Sequence, residues 1–427
     1  MVFTAVGQPL TAHAQVELDL DAESAILVDA ETGKILYAKS PDQALPPASM
    51  TKMMTEYLVL EAIDEGHISW DTTTQISDYP YSISANTLFS GVGLTQGKDY
   101  TVRKLYEAMA VNSDNATTIA LAELIAGSET EFVEMMNAKA EEMGLSEYKF
   151  VNSTGLDNES LGENRPEGTE PNATNLLSAR SSAYLAYHLI NDYPQALEFS
   201  SMPQIEFEGY TIDNWNWMLE HEGISLQQFY YEGVDGLKTG NTELAGYTFT
   251  GTAERNGRRL ISVVMKTDSR EERFEETEVL LDYGFENFQH HELAPAGYQK
   301  EDQPTLPVDK GKENEVNIST AEAINLPIKE GEEDLYQITY QLDEKKLNED
   351  GELTAPIGEG EVIGKAEVVY QGENDYGYIF SDGTGSVDLV TESAVEKDNW
   401  FMLTLGAVGD FFSSLFGSAV DWIKGLF

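Results

Sequence analysis

Pro46-Pro47-Ala48-Ser49-Met50-Thr51-Lys52-Met53-Met54 is the stretch on which the reading of this chain turns. The prolines stop an extended segment, and Ser49 opens a helix. Met50, Met53, Met54, Tyr57 and Leu58 recur at i, i+3, i+4, i+7 and i+8, which predicts an apolar stripe facing a core. On such a helix Lys52 lies one turn beyond Ser49 on the same side. A serine hydroxyl is a poor nucleophile until a base takes its proton, and this pair supplies both groups. One Ser-x-x-Lys is common, and its plain reading is a polar helical turn. Here Ser113-Asp114-Asn115 and Lys238-Thr239-Gly240 follow it in order, and the three together are far more specific.

Working outward, Ala25 to Ala30, Glu31-Thr32-Gly33-Lys34 and Ile35-Leu36-Tyr37 read as strand, turn and strand. A second helical pattern, Leu105 to Ile125, is interrupted by Ser113-Asp114-Asn115. A third helix runs from Thr130 as N-cap to Met143, where Gly144 ends it. A polar loop covers Asp157 to Asn172, and Leu176 to Ile190 returns to helix. Gly236 to Gly240, Gly246 to Gly251 and Leu260 to Met265 read as adjacent strands, and Glu275 to Gly284 as a last helix. The fold class is therefore α+β, a mainly antiparallel sheet flanked by helices. The expected divisions are a leader remnant over 1–14, a catalytic domain over 15–291, a linker over 292–309 containing Pro304 and Pro307, a small all-β domain over 310–394, and a C-terminal helix over 395–427.

The leader reading rests on Ala12-His13-Ala14, an A-x-A cleavage pattern closing an apolar stretch that lacks a basic front. At the other end, Phe401, Leu405, Val408, Phe412, Leu415, Ala419, Ile423 and Leu426 advance by three or four, while Asp410, Ser414, Gly417, Asp421 and Lys424 take the opposite face. That pattern predicts an amphipathic helix lying in a membrane surface. Several large apolar side chains at roughly 1.5–3 kcal/mol each outweigh repulsion of about 1 kcal/mol per excess negative charge.

The chain has 427 residues, no cysteine, and 75 acidic against 26 basic residues, a formal charge of −49. Missing cysteines exclude disulfides, thiolate metal sites and a cysteine nucleophile. The charge excludes nucleic acid as a partner, because phosphates demand a basic patch. So acidic a surface is tolerable in concentrated salt and self-repelling in dilute buffer, which suggests a saline habitat.

The motifs assign chemistry residue by residue. Ser49 is the nucleophile and Lys52 its general base, held neutral by burial and by the cation Lys238. Ser113 relays a proton to the leaving amine, and Asn115 holds Lys52 and a substrate carbonyl. Gly240 lets a substrate peptide lie along the strand edge, and Lys238 and Thr239 meet its anionic end. The backbone N–H groups of Ser49 and Asn241 form an oxyanion hole. Arg273 binds a terminal carboxylate through its fork; its plain reading is a solvated arginine among Glu271, Glu272 and Glu275. None of the six histidines shows a metal or triad spacing, and no metal or cofactor is expected.

On these motifs the chain resembles the low-molecular-mass penicillin-binding proteins, the serine-type D-alanyl-D-alanine carboxypeptidases of bacterial cell walls. Met136 to Ala140 with Met143-Gly144-Leu145, Thr154-Gly155-Leu156, Gly233 to Leu237, and Arg273-Phe274 extend the likeness. Ala355-Pro356-Ile357 through Gly364 and the tail carry it to the end. Ser181 stands where the family usually has Asp. The resemblance implies a penicillin-binding/serine β-lactamase-like fold with a helical subdomain. It also implies peptidoglycan stem peptides ending in D-Ala-D-Ala as substrate, acylation by β-lactams, and export to the outer face of the cytoplasmic membrane. A class A-like β-lactamase is the rival reading. Arg165-Pro166-Glu167 begins its deacylation motif, but Asn172 falls one place late and no Leu precedes it. A non-catalytic wall-binding protein of this fold would be expected to lose Ser49 or Lys52.

Overall fold

A computed structural model describes residues 18–222, 225–372, 375–380 and 385–398. The leader remnant over 1–14 lies outside the described residues, as does all of the expected tail helix beyond 398. The chain forms two units, Met1–Phe288 with Glu373–Gly383, and Gln289–Gly372 with Thr384–Phe427.

The first unit is organised by five strands: β1 (Ser24–Asp29), β2 (Ile35–Lys39), β3 (Val234–Thr242), β4 (Gly246–Arg255) and β5 (Arg258–Thr267). Their order is β2-β1-β5-β4-β3, with every neighbouring pair antiparallel. Asn256 and Gly257 turn β4 into β5 with positive φ values of 54° and 78°, the conformation a two-residue hairpin of the right twist needs. Strand alternation divides the core. Ile26 and Val28 of β1, with Ile261 and Val263 of β5, face one cluster, and Ala25 and Leu27, with Leu260 and Val264, face the other. Both faces are buried, so the sheet is the middle layer.

Six helices matter for the site: α1 (Lys52–Asp64), α2 (Val102–Asn112), α3 (Asn115–Ala126), α4 (Glu129–Met143), α5 (Ala179–Asp192) and α6 (Glu272–Asn287). α1 departs from the expected one-sided stripe. Every residue from Lys52 to Leu60 is buried, polar ones included, because distant loops satisfy them. Thr55 donates to the Ser153 carbonyl at 2.9 Å, and Thr51 accepts from Asn175 at 2.9 Å. α4 begins two residues earlier than expected. Ser128, not Thr130, is the N-cap, its hydroxyl accepting from the Glu131 N–H at 3.2 Å. The last helix is longer than its expected span, Glu272–Asn287. In α5 the cap is Ser178, and the buried Ser181 hydroxyl has no partner among the described residues.

In the second unit, β6 (Thr305–Asp309), β7 (Glu315–Thr320), β8 (Tyr336–Leu342), β9 (Leu353–Thr354), β10 (Val362–Tyr370) and β11 (Val387–Thr391) form a sheet in the order β8-β10-β11-β7-β6-β9. The expected linker over 292–309 is corrected by β6, whose Leu306 and Val308 enter the core with Val316 and Ile318. Pro307 is tolerated because β9 pairs only with Val308 and Asp309. The boundary at 394 is corrected too, since Val395 and Lys397 bridge to Ile357 and Gly311.

Residues 375–380 leave this second stretch of chain and complete the first unit. The Ile35 N–H donates to the Gly377 carbonyl, the Ile379 N–H to Gly33, and Arg180 to the Tyr378 carbonyl. Gly33, at φ 70°, has no room for a Cβ against the Phe380 ring. Among the described residues no helix is long and apolar enough to cross a membrane.

Candidate active site

Ser49 sits in a single 3-10 turn, Ala48–Thr51, which runs directly into α1 at Lys52. The Lys52 ammonium nitrogen lies 3.0 Å from Ser49 Oγ, 2.9 Å from Asn115 Oδ1 and 2.7 Å from the Thr154 carbonyl. Burial, then the neighbouring Lys238 cation, hold its pKa well below the usual lysine value, against the opposing pull of Asp114, Glu56 and Glu129. A neutral amine has two N–H donors and one lone pair. Asn115 Oδ1 and Thr154 O are acceptors only, so they take both donors. The lone pair is left facing the Ser49 hydroxyl.

The second motif breaks the helical pattern between α2 and α3. Ser113 adopts the left-handed conformation, φ 61° and ψ 32°, as the C-cap of α2. A non-glycine residue held there is locally strained, a feature that clusters at functional positions. Its Oγ is buried without a partner among the described residues, and Ser113 lines the same cleft as Ser49. Asp114 is structural. It caps α3 by accepting from the Thr117 N–H at 2.7 Å, and fixes the preceding loop through the Val92 N–H at 2.6 Å. Asn115 is buried, and its amide nitrogen donates to the Ser90 carbonyl at 3.2 Å. It meets Lys52 as expected, but it does not line the cleft in which a substrate carbonyl would lie.

Lys238, Thr239 and Gly240 lie on β3, the sheet edge beside Ser49. Lys238 is buried, with its pKa lowered to about 8 by desolvation and by Arg273, while Glu56 opposes the shift. It stands behind the cleft, which Thr239, Gly240 and Asn241 line directly. The reading of Gly240 is corrected. A Cβ there would collide with Thr248 Oγ1 and the Pro47 carbonyl, not with open space. The glycine lets β3 close against the turn that carries Ser49.

Arg273, the second residue of α6, is 3% exposed, which removes the solvated-arginine reading. Its Nη1 donates to the Gly240 carbonyl at 3.1 Å and the Thr248 carbonyl at 3.4 Å, while Nε has no partner among the described residues. Burial and then the nearby Arg270 lower its pKa to about 9.

Sequence reasoning missed several participants. The Thr154 carbonyl has no side-chain signature. It is aimed by Asn152, whose Oδ1 accepts from the Thr154 N–H at 3.2 Å and the Gly155 N–H at 2.8 Å. Gly155, at φ 85°, lies so close to the Ala48 backbone that no Cβ fits; the Thr-Gly-Leu turn was the available signal. Glu56 is one turn along α1 from Lys52. Its carboxyl pKa is raised to about 7 by burial, and Tyr106 donates to it at 3.4 Å. Ser90, Trp215 and Arg270 complete the cleft wall. No histidine lines it. Glu167, the acid of the β-lactamase-like pattern, is exposed and elsewhere.

Comparison with known proteins agrees with this arrangement. The family model described as D-alanyl-D-alanine carboxypeptidase matches residues 9–269, and that described as penicillin-binding protein 5, C-terminal domain matches residues 288–397. The chain is 32% identical over 360 residues to D-alanyl-D-alanine carboxypeptidase DacF of Bacillus subtilis, covering 84% of each protein. Among solved structures, PBP3 of Streptococcus pneumoniae, a peptidoglycan synthesis regulatory factor, superposes with a TM-score of 0.71 at 38% identity, over 89% of this chain and 100% of that one. Penicillin binding protein 5 of Haemophilus influenzae does so with a TM-score of 0.71 at 30% identity, over 90% and 100%. A serine–lysine pair at the head of a buried helix, the orphan hydroxyl of Ser113 and a buried arginine behind the edge strand thus occur in a chain that belongs to the D-alanyl-D-alanine carboxypeptidase family.

Proposed function

We propose that this chain hydrolyses the terminal D-Ala-D-Ala bond of peptidoglycan stem pentapeptides through an acyl-enzyme on Ser49, and that penicillins acylate the same serine. The observation that carries the reading is the disposition of Lys52, whose side-chain nitrogen lies 3.0 Å from Ser49 Oγ, with two pure acceptors, Asn115 Oδ1 and the Thr154 carbonyl, as its other partners among the described residues. Lys52 takes the Ser49 proton as Oγ attacks the carbonyl carbon. The oxyanion is met by the backbone N–H groups of Ser49 and Asn241. The C–N bond then breaks, and the proton passes by way of Ser113 to the departing amine of D-alanine. Water, deprotonated by the same lysine, cleaves the ester and returns the proton to Ser49. Thr239 and Arg273 hold the terminal carboxylate, with Lys238 supplying positive charge behind them.

Incubation with a pentapeptide stem should release one equivalent of D-alanine per chain end. Arg273→Ala should reduce kcat/KM on the free acid by about 10- to 100-fold, the worth of a hydrogen bond to a charged group. It should cost less on the same peptide amidated at its C-terminus. Equal losses on both would remove Arg273 from the carboxylate site.

We further propose that residues 400–427 anchor the enzyme peripherally at the outer face of the cytoplasmic membrane. The support is the two-faced sequence pattern of that segment. Deleting it should release active enzyme into the soluble fraction with its rate on small peptides unchanged. Detergent, and not high salt, should elute the full-length chain, because screening weakens charge-driven attachment and leaves apolar burial intact. Elution by salt alone would favour an electrostatic attachment.

A further inference from the structure

Arg273 is not the sole guanidinium at the cleft. Arg270, three residues earlier and half-buried, lines the same wall. It lies over two indole rings, 5.1 Å from the centroid of Trp215 and 5.7 Å from that of Trp217. Stacking of this kind holds a guanidinium in place while leaving its in-plane N–H donors unused. In a chain with nearly three acids for every base, Arg270 makes no ion pair among the described residues. Glu272, two residues on, is engaged elsewhere, accepting from the Asp268 N–H at 2.6 Å.

The perch is rigid and tied to the catalytic turn. Trp215 Nε1 donates to the Asn112 carbonyl at 3.0 Å, one residue before Ser113. Its neighbours Asn214 and Asn216 are buried, and Asn214 is bonded to the Met202 carbonyl at 2.9 Å. Arg270 is thereby referenced to Ser113 on one wall and, through three residues of chain, to Arg273 on the other. Two cations facing one cleft repel each other. Arg273 also keeps a buried Nε without a partner among the described residues. An anion placed between them relieves the repulsion and satisfies the donors.

Resting on the carboxypeptidase reading above, we infer that Arg270, seated on Trp215 and Trp217, is a specificity-determining residue that closes the leaving-group end of the cleft. There it acts with Arg273 as a two-cation receptor for the α-carboxylate of the departing residue. Arg273 is committed on one nitrogen to the edge strand and offers the carboxylate its remaining donors; Arg270 supplies the free fork. The pair makes a chain end the preferred substrate, because an internal peptide bond brings no anion to offset two cations.

The experiment compares a diacylated L-Lys-D-Ala-D-Ala peptide with its C-terminal amide, following D-alanine or D-alaninamide release by purified full-length enzyme and by Arg270→Ala, Arg270→Lys and Trp215→Phe. Arg270→Ala should lose about 10- to 100-fold in kcat/KM on the free acid and less than about threefold on the amide, which narrows acid-over-amide selectivity. Arg270→Lys should recover part of that selectivity, since it keeps the charge and loses the fork. Trp215→Phe should give an intermediate loss confined to the acid. An unchanged acid-to-amide ratio in Arg270→Ala, or an equal fall on both substrates, would overturn the inference. Should the alanine variant not fold, the same ratio in Arg270→Lys decides. Failure of the unsubstituted enzyme to release D-alanine from the free acid would overturn the carboxypeptidase reading instead.

Discussion

Ser49→Ala is expected to abolish labelling by a fluorescent penicillin and release of D-alanine, with the fold intact. Among the described residues Ser49 is the one hydroxyl hydrogen-bonded to the Lys52 nitrogen, so no neighbour can take over the attack. The structural cost is small. The side chain is half-buried and gives up one hydrogen bond, worth about 1 kcal/mol. Thermal unfolding should therefore stay within a few degrees of the parent, while a gel of labelled protein goes dark. Persisting label on the alanine variant would mean that another nucleophile carries the chemistry.

Lys52→Ala should be nearly as severe for activity and more costly for the fold. General-base help is worth roughly 10²–10⁴-fold in rate, and here the same amine also serves deacylation. Removing it strands two buried acceptors, Asn115 Oδ1 and the Thr154 carbonyl, each at about 1–3 kcal/mol. Acylation measured by stopped-flow should fall by at least two orders of magnitude, with a lower melting temperature. The pH dependence has a definite sign. The base works when neutral, and burial with Lys238 moves its pKa down from 10.5. The rate should therefore hold as the pH falls past the ordinary lysine value and decline only as acid protonates Lys52 through its depressed pKa. An acid limb starting near the ordinary lysine value would place the proton acceptor elsewhere.

The three motifs were legible because each is a local spacing of residues whose chemistry is unusual. The sheet was legible because apolar runs separated by turn residues such as Glu31-Thr32-Gly33-Lys34 leave few other readings. What stayed hidden is non-local. The polar side of α1 looks solvent-facing in a helical projection. Thr51, Thr55 and Glu56 are buried because Asn175, Ser153 and Tyr106, each 50 or more residues away, meet them. Gly240 follows the same logic, since the Pro47 turn that demands a glycine is remote in sequence. Trp215 and Arg270 meet across 55 residues by ring stacking, a contact with no periodicity to betray it. The linker over 292–309 misled because its composition, with Pro304, Pro307 and charged residues, is that of a connecting segment, whereas Pro307 fits in a strand where β9 does not reach it.

The placement of residues 375–380 bears on the order in which the protein is made. Strand β2 hydrogen-bonds to this segment through Ile35, so its outer edge lacks that partner until roughly the last tenth of the chain is being synthesised. By then the serine, its lysine and every strand of the sheet have long emerged. A nascent catalytic unit therefore presents an unpaired strand edge throughout synthesis of the β domain, the kind of surface that recruits other strands. Expression of residues 18–288 alone leaves that edge permanently bare, and a peptide spanning 375–380 supplied in trans is the natural means of covering it.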